Sequence, residues 1–138
     1  MADTAPKSGT LQCVVVTPET TVLDTLADFV ALPLFDGECG IAANHSPLIG
    51  RLGYGELRIR RGNDTERFYV DGGFVQVVDN VVSVLTHRAV PAGAVDTTAA
   101  TEQLNTALSR KAAGSEELAI RDRLISQARG QLRVSGRI

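Results

Sequence analysis

The sequence predicts an α+β fold, in which an N-terminal antiparallel β sandwich or flattened barrel of about eight to ten strands precedes a C-terminal antiparallel α-helical hairpin. Two observations predict it. Short β-branched runs alternate with turn residues through residues 10–90, at the spacing of about eight to twelve residues that sandwiches show. After residue 91, alanine, leucine, glutamine and arginine replace valine, and these residues favour helices over strands.

The chain accordingly divides into four predicted regions. These are a disordered arm at 1–9, the sandwich at 10–90, a linker at 91–95 and the helical hairpin at 96–138. Residues 1–95 carry seven Lys and Arg against eleven Asp and Glu, whereas residues 96–138 carry seven against five. The net charge of −2 is too small to indicate polyanion binding by the whole chain, but its C-terminal region is basic.

Composition is typical of a globular protein, with 43% hydrophobic and 22% charged residues and a mean hydropathy of +0.03. Cys13 and Cys39 show neither CxxC nor metal-site spacing, so two reduced thiols are predicted, with a disulfide between them left open. The first ten residues lack the apolar segment of a secretory signal, and every apolar run falls well short of the roughly 20 residues that span a membrane. Membrane association would therefore come through a partner.

The first predicted strands follow from β-branched residues and from proline. Residues 11–17 form such a run, which ends at Pro18, and the short, half-polar run at 20–25 suits a sheet edge. The apolar run at 27–35 contains Pro33, which cannot donate a hydrogen bond to a neighbouring strand. An edge or a bulge is predicted at that point.

A long hairpin is predicted next. Residues 56–60 alternate polar and apolar side chains, 62–64 signal a turn, and 66–70 form the returning strand. Residues 71–73, Asp-Gly-Gly, fit either a second hairpin turn or a glycine bulge inside one long strand. A further tight reversal is predicted at 79–80.

Two helices complete the prediction. Asp96 or Thr97 would cap the first, and Gly114 would end it as Ser115 caps the second. The apolar faces are narrow: Ala100, Leu104, Ala107 and Leu108 on the first helix, and Leu118, Ile125, Ala128 and Leu132 on the second. Because such faces bury little apolar surface, we expect a hairpin that can detach from the sandwich.

The segment 36–57 holds five of the thirteen glycines and predicts a set of tight corners, with Pro47 stiffening the loop at 44–47. Its motifs carry a resemblance that extends over 11–134. In order, they are Gly37-Glu38-x-Gly40-Ile41, His45-x-Pro47-Leu48, Leu52-x-x-Gly55-x-Leu57-x-Ile59 and Gly72-Gly73-Phe74. This ordered set resembles the epsilon subunit of F-type ATP synthases.

The resemblance implies a non-catalytic rotor subunit of the central stalk of a proton-translocating synthase. Its sandwich would bridge the gamma subunit and the c ring, with Glu38 and His45 as c-ring contacts. Its terminal helix would inhibit ATP hydrolysis by meeting an acidic segment of the β subunits through Arg121, Arg123, Arg129 and Arg133. The implied location is peripheral, on the cytoplasmic face of the bacterial inner membrane, and no cofactor is implied.

Many bacterial family members bind regulatory ATP through a branched aliphatic residue, Asp, two residues, then Arg and Ala. The corresponding residues here are Val95-Asp96-Thr97-Thr98-Ala99-Ala100, so Ala99 replaces the arginine that suits a phosphate best. Asp96 alone carries over as a candidate ATP contact, and a helix N-cap explains it equally well.

Other interpretations of these residues stay open. Glu38 fits a solvated turn carboxylate, and His45 fits a surface turn histidine or, in a small hydrolase, a catalytic base, although no nucleophile motif accompanies it. A free-standing β-sandwich binding module with a helical interaction tail is the main alternative function. No P-loop or metal-site spacing occurs, and an acidic sandwich without aromatic stacking residues argues against nucleic-acid binding.

Overall fold

The computed structural model describes residues 9–136, and in them the predicted α+β class is confirmed. The strands are β1 Leu11–Val16, β2 Thr21–Ala27, β3 Phe29–Leu34, β4 Gly37–Ala42, β5 Leu48–Arg61, β6 Asp64–Val78, β7 Val81–Leu85 and β8 Ala89–Pro91. A short 3-10 helix, Ala92–Ala94, leads to helices α1 Thr97–Ser109 and α2 Ser115–Ser135. The predicted disordered arm lies outside the described residues except for Gly9, which is in a turn.

The strands follow the order β2-β1-β7-β6-β5-β3-β4, with β8 paired to β6. The predicted antiparallel arrangement holds for each described pair except β1 with β7, which is parallel. Turn signals between neighbouring segments predict hairpins, which are antiparallel. Such signals cannot predict the pairing of β1 with β7, because more than sixty residues separate these two strands.

The β5–β6 hairpin passes through both layers of the sandwich. The first half of β6 pairs with β8 and its second half pairs with β7, while β5 spans β6 along almost its whole length. The two halves meet at Gly72 and Gly73, where φ is +70° and +108°. The open choice at 71–73 is thereby decided, because these glycines bend one continuous strand instead of closing a hairpin.

The predicted set of corners at 36–57 is wrong for most of its glycines. Gly40, Gly50, Gly53 and Gly55 lie inside β4 and β5. A side chain at Gly40 would strike the ring of Phe29, and one at Gly53 would press on the backbone of β3. These glycines provide close packing rather than reversals, and sequence alone does not separate the two uses.

Pro33 marks a bulge, one of the two predicted possibilities. Strand β3 pairs with β4 through every residue from Phe29 to Leu34, but its register against β5 shifts between Ala31 and Leu34. The ends of the main strand order are β2, an edge as predicted, and β4. The core between the layers is apolar, and its members include Leu11, Val30, Ile41, Leu57, Ile59 and Val84.

Helix α1 begins as predicted, because the Asp96 side chain accepts a hydrogen bond from the Ala99 N–H at 3.0 Å. The predicted junction between the helices is wrong. Helix α1 ends at Ser109 with Arg110 as its C-cap, and Gly114, with φ +85°, is the N-cap of α2, so Ser115 is already helical. The connection between the two helices is therefore five residues long. Gly114 takes the N-cap position in place of Ser115, because glycine tolerates a positive φ.

Candidate docking surfaces

Glu38 and His45 stand at opposite ends of strand β4. Glu38 is the second residue of β4, and His45 lies three residues beyond its end, in the loop that leads to β5. A strand of this length spans about 17 Å. The structure therefore does not bring the two predicted contact residues together, and their role at a c ring stays a prediction.

Glu38 begins a row of ion pairs across three strands. Both of its carboxylate oxygens accept from Arg58, at 2.9 and 3.2 Å, and Arg58 also bonds Glu56 at 3.2 Å. Arg67 continues the row through its Nε, 2.6 Å from Glu56. The hydrogen bond to Glu38 is the main cause that raises the pKa of the Arg58 guanidinium, with the bond to Glu56 next.

The loop that carries His45 is held by one local hydrogen bond and by one to Asn80. His45 Nδ1 donates to the Ser46 carbonyl oxygen at 2.7 Å, and the Asn44 N–H donates to the Asn80 side chain at 2.6 Å. Asn44 has φ +65°, a value that asparagine tolerates better than most residues. Since Nδ1 of His45 is bonded to the backbone of its neighbour Ser46, the geometry favours a surface loop over a catalytic base.

An apolar face on the outside of the sandwich was missed by sequence reasoning. It consists of Phe35, Ile49, Phe74 and Leu85, which are 60, 79, 60 and 54% exposed. Phe74 lies opposite Arg51 on β5 and Leu85 on β7, and the Arg51 guanidinium stacks 4.2 Å from the centre of the Phe35 ring. A contiguous exposed apolar face indicates an interaction site.

A groove extends this apolar face along β1 and β7. It has a volume of about 340 Å³, and Val16, Pro18, Phe74, Leu85 and His87 are among its lining residues. The sequence signal for this face is weak. Outward apolar residues such as Phe74 alternate with inward valines, so the segment resembles a strand that is apolar on both sides.

Three of the four arginines predicted to inhibit are exposed on the docked hairpin. Arg123, Arg129 and Arg133 lie on the solvent side of α2, and Arg133 borders a groove of about 590 Å³ between α2 and strands β3 to β5. Arg121 differs, because its Nε donates to the Ala107 carbonyl at 3.1 Å and joins the two helices. While the hairpin packs against the sandwich, Arg123, Arg129 and Arg133 therefore remain exposed to solvent.

Asp96 borders a cavity of about 310 Å³ between α1 and the sandwich. Among the described residues of that lining, Arg88 is the one cation, and its guanidinium lies 5.6 Å from the centre of the Tyr69 ring. Ala99 stands in the wall where the family motif has arginine, and the Asp96 carboxylate serves as the N-cap. A triphosphate favours several cations, whereas the described residues of this cavity supply Arg88 alone.

Within residues 9–136 no group of three metal-ligating side chains occurs, and no helix is long and apolar enough to cross a membrane. Both cysteines are free, as predicted. Burial in the sandwich core is the largest cause that raises the pKa of the Cys13 thiol to about 12. Cys13 is therefore an inert core residue.

Comparison with known proteins gives the family. The beta-sandwich domain of the ATP synthase delta/epsilon chain matches residues 10–92. The chain belongs to the ATP synthase delta/epsilon family. The resemblance found in the sequence motifs is confirmed, and this family member is a non-catalytic subunit.

Two relatives of this family member illustrate the similarity. The ATP synthase epsilon chain of Rhodopirellula baltica is 53% identical over 125 residues, which cover 91% of this chain and 98% of that one. The ATP synthase epsilon chain of Desulfitobacterium hafniense is 43% identical over 89 residues, 64% of this chain and 67% of that one. The first relative matches the helical hairpin as well as the sandwich.

Two solved structures share the fold. A chain of the Euglena gracilis mitochondrial ATP synthase (OSCP/F1/c-ring) superposes with a TM-score of 0.73 and 22% identity, covering 94% of this chain and 79% of that one. A chain of the Tetrahymena thermophila mitochondrial ATP synthase (central stalk/c-ring) gives 0.70 and 16%, covering 91 and 96%. At these low identities, the likeness to the two solved chains shows a shared fold and nothing further.

Proposed function

We propose that this chain is the epsilon subunit of a rotary ATP synthase, in which its sandwich binds the gamma subunit and the c ring and helps to transmit torque. The observation that carries the proposal is the apolar face formed by Phe35, Ile49, Phe74 and Leu85. A face of this kind buries its area against a protein partner. Arg51, stacked on Phe35, gives that partner a cation beside an aromatic ring.

Contact with the c ring is assigned to Glu38 and His45. The loop that holds His45 is rigid through its bonds, so binding costs it little conformational entropy. Glu38 is exposed and paired with Arg58, so a cationic group of the partner would compete with Arg58 for the carboxylate. Because β4 separates the two residues, the proposed contact extends over the length of that strand.

Inhibition of ATP hydrolysis is assigned to the helical hairpin. Residues 119–138 carry five arginines against the single acid Asp122, and Arg123, Arg129 and Arg133 are exposed. A surface of one sign of charge favours an acidic partner surface, here a segment of the β subunits. Undocked, the hairpin would carry the arginines to the catalytic head and slow hydrolysis, and docked, it would keep them away.

The proposed location is the cytoplasmic face of a bacterial inner membrane, where the chain is held through the assembled complex. The similar epsilon chains of Rhodopirellula baltica and Desulfitobacterium hafniense come from bacteria. Proton translocation by the membrane part of the complex would drive the rotation that this subunit transmits.

Binding to gamma tests the role of the sandwich. Replacing Phe74 by Asp would place a charge in the centre of the apolar face, and we expect affinity for the purified gamma subunit to fall by about 30-fold or more. The control is Leu26→Asp, because Leu26 is 44% exposed on the edge strand β2, outside that face. Equal affinities for both variants and the wild type would contradict the proposal and favour a free-standing binding module.

Deletion of residues 92–138 tests the role of the hairpin. In the reconstituted complex, ATP hydrolysis should rise while assembly is retained, because the apolar face on the sandwich stays intact. The matched control replaces Arg123, Arg129 and Arg133 by Gln in the full chain, which removes charge and keeps the helices. Unchanged hydrolysis in both variants would contradict an inhibitory hairpin.

A further inference from the structure

The contact that docks the hairpin is small and confined to one half of α2. Its buried residues are Ala128, Gly130, Gln131, Leu132 and Val134, whereas the first two turns of α2 are exposed, including Leu118 at 42%. Among residues 9–136, none of these buried residues belongs to the apolar core of the sandwich. The hairpin therefore packs against the outer surface of the sandwich, and these residues of α2 do not contribute to the sandwich core.

Gly130 lies at the centre of this contact. A Cβ atom there would stand 2.6 Å from the Tyr54 carbonyl oxygen and 3.2 Å from Cε1 of Tyr69. Gly130 lies inside a regular helix, so it is needed for space and not for an unusual backbone conformation. Its missing side chain lets the backbone of α2 reach the backbone of β5.

Beside Gly130 the contact is polar. The Tyr69 hydroxyl donates to Oδ1 of Asp71 at 2.8 Å, and Nε2 of Gln127 donates to the same oxygen at 3.1 Å. Gln131, which is 7% exposed, faces the Tyr69 hydroxyl and acts to lower its pKa. We call Tyr69, Asp71, Gln127 and Gln131 the polar latch.

The end of α2 is held by a third contact. Nη2 of Arg67 donates to the Val134 carbonyl oxygen at 2.8 Å, while Glu56 holds the same guanidinium through Nε. A cation at the C-terminal turn of a helix also favours the negative end of the helix dipole. Gln127, Gly130 and Val134 follow at helical spacing, so the helix meets the sandwich along one line.

The contacts at Gln127, Gly130 and Val134 explain how the hairpin can be held in one orientation and still be released. When α2 leaves, water replaces each protein hydrogen bond, so the bonds of the latch fix direction but add little net affinity. An apolar contact of the same area would lose burial without replacement and would hold the helix more tightly. The Asp71 side chain faces Gln127 of α2, and Asp71 lies directly before the bend of β6 at Gly72 and Gly73.

We propose that the polar latch, centred on Asp71 and placed by the close approach at Gly130, sets how readily the hairpin is released from the sandwich. Asp71 and Gln127 are positioning residues in this device, since neither is assigned a contact with a partner. The consequence for ATP hydrolysis rests on the proposed function. The docking equilibrium itself is a property of the isolated full chain.

Thiol labelling of the isolated full chain tests the proposal. In a Cys39→Ser background, Val134→Cys places a near-isosteric thiol at a position that is 2% exposed, and Cys13 stays in the core. Its labelling rate, divided by the rate in urea, gives the undocked fraction. We expect Gly130→Ala to raise this fraction about tenfold or more, although alanine favours the helix itself more than glycine does. Gly93→Ala, where a Cβ meets open space, should leave it unchanged.

Variants of Asp71 separate the latch from a general loss of fit. Asp71→Leu should raise the undocked fraction by about tenfold, because Gln127 loses its acceptor, whereas Asp71→Asn keeps an oxygen at Oδ1 and should stay within about twofold. The double variant Asp71→Leu with Gln127→Leu removes the unpaired Gln127 amide and leaves only the Tyr69 hydroxyl without its acceptor, so its undocked fraction should fall below that of Asp71→Leu. Far-UV circular dichroism and the protection of Cys13 establish that the sandwich is folded in each variant.

Labelling at the wild-type rate in both Gly130→Ala and Asp71→Leu would overturn the latch. An undocked fraction as high in the double variant as in Asp71→Leu would overturn it as well, since an unpaired Gln127 amide would then not be what releases the hairpin. Hydrolysis by the complex is measured separately with the same variants. Labelling that changes as expected beside unchanged hydrolysis would contradict the inhibitory function and leave the latch standing.

Discussion

The interior of the sandwich and the contact that docks the hairpin are built from different chemistry. The interior is closed by apolar side chains from β1 to β8, among them Leu57, which is 0% exposed. The docking contact uses a glycine, the few apolar residues Ala128, Leu132 and Val134, and the amide and carboxylate groups of the polar latch. Apolar burial holds parts together permanently, whereas hydrogen bonds that water can replace hold them in one orientation and allow release.

A matched pair of leucine truncations gives the largest expected contrast. Leu57→Ala should lower the free energy of unfolding of the whole chain by about 2–5 kcal/mol, because it opens a cavity in the sandwich core. Leu132→Ala, at a position 6% exposed on α2, should leave the sandwich transition in place and weaken only docking. Urea unfolding followed by circular dichroism, together with thiol labelling at position 134, separates the two effects. Equal losses of global stability would erase the distinction between the two regions.

Alkaline pH should act on the docking contact before the core. Burial, followed by the charge of Asp71 and the hydrogen bond to it, raises the pKa of Tyr69 in the docked state, against the cation Arg88. The docked state therefore binds the phenol proton more tightly. Its stability is complete below about pH 10 and falls above it, by up to about tenfold in the docking equilibrium per pH unit.

The tyrosinate absorbance at 295 nm reports this ionisation, since the chain has two tyrosines and no tryptophan. Gly130→Ala should bring the ionisation of Tyr69 back towards its ordinary pH, because undocking returns the ring to water. Tyr69→Phe should remove the linked loss of docking. A wild-type chain in which Tyr69 ionises near its ordinary pH, about 10, would contradict the burial of its ring by the hairpin.

Arg67→Gln should have a smaller effect, confined to docking. It removes the bond to the Val134 carbonyl, and since the arginine is 44% exposed we expect a loss of about 0.5–1.5 kcal/mol in the docking equilibrium. Arg58→Gln is the control, because Arg58 belongs to the same row of ion pairs and bonds Glu38 and Glu56. An equal rise in labelling at position 134 for both variants would show that Val134 is not the relevant partner.

The weakest effect is expected at Glu38. Glu38→Gln breaks an exposed pair with Arg58, so the free energy of unfolding should fall by about 1 kcal/mol or less and docking should not change. The difference from the wild type should vanish in about 1 M salt, where charges are screened within about 3 Å. A larger, salt-independent loss in urea unfolding would mean that Glu38 supports the core.

Sequence reasoning recovered what local patterns decide. The alternation at 56–60, the turn at 62–64 and the N-cap at Asp96 are set by neighbouring residues, and each lies where it was predicted. The glycines of 36–57 were misread, because glycine serves turns and close packing alike and only the facing strand separates these uses.

The docking contact was beyond reach for a similar reason. Asp71 reads as a turn residue, and Gln127 reads as part of a solvated helix face. The two meet across 56 positions of sequence. The apolar face was likewise hidden, since Phe74 becomes an outward residue only once the bend at Gly72 and Gly73 sets the register.

Native-state hydrogen exchange on the isolated full chain tests most directly whether the two regions are held in different ways. The amides of β5 and β6 should exchange only through global unfolding, and those of α1 and α2 through a separate opening of lower free energy and weaker denaturant dependence. Gly130→Ala should lower the second value and leave the first unchanged. A single shared free energy for helices and strands, falling together in Gly130→Ala, would contradict the account.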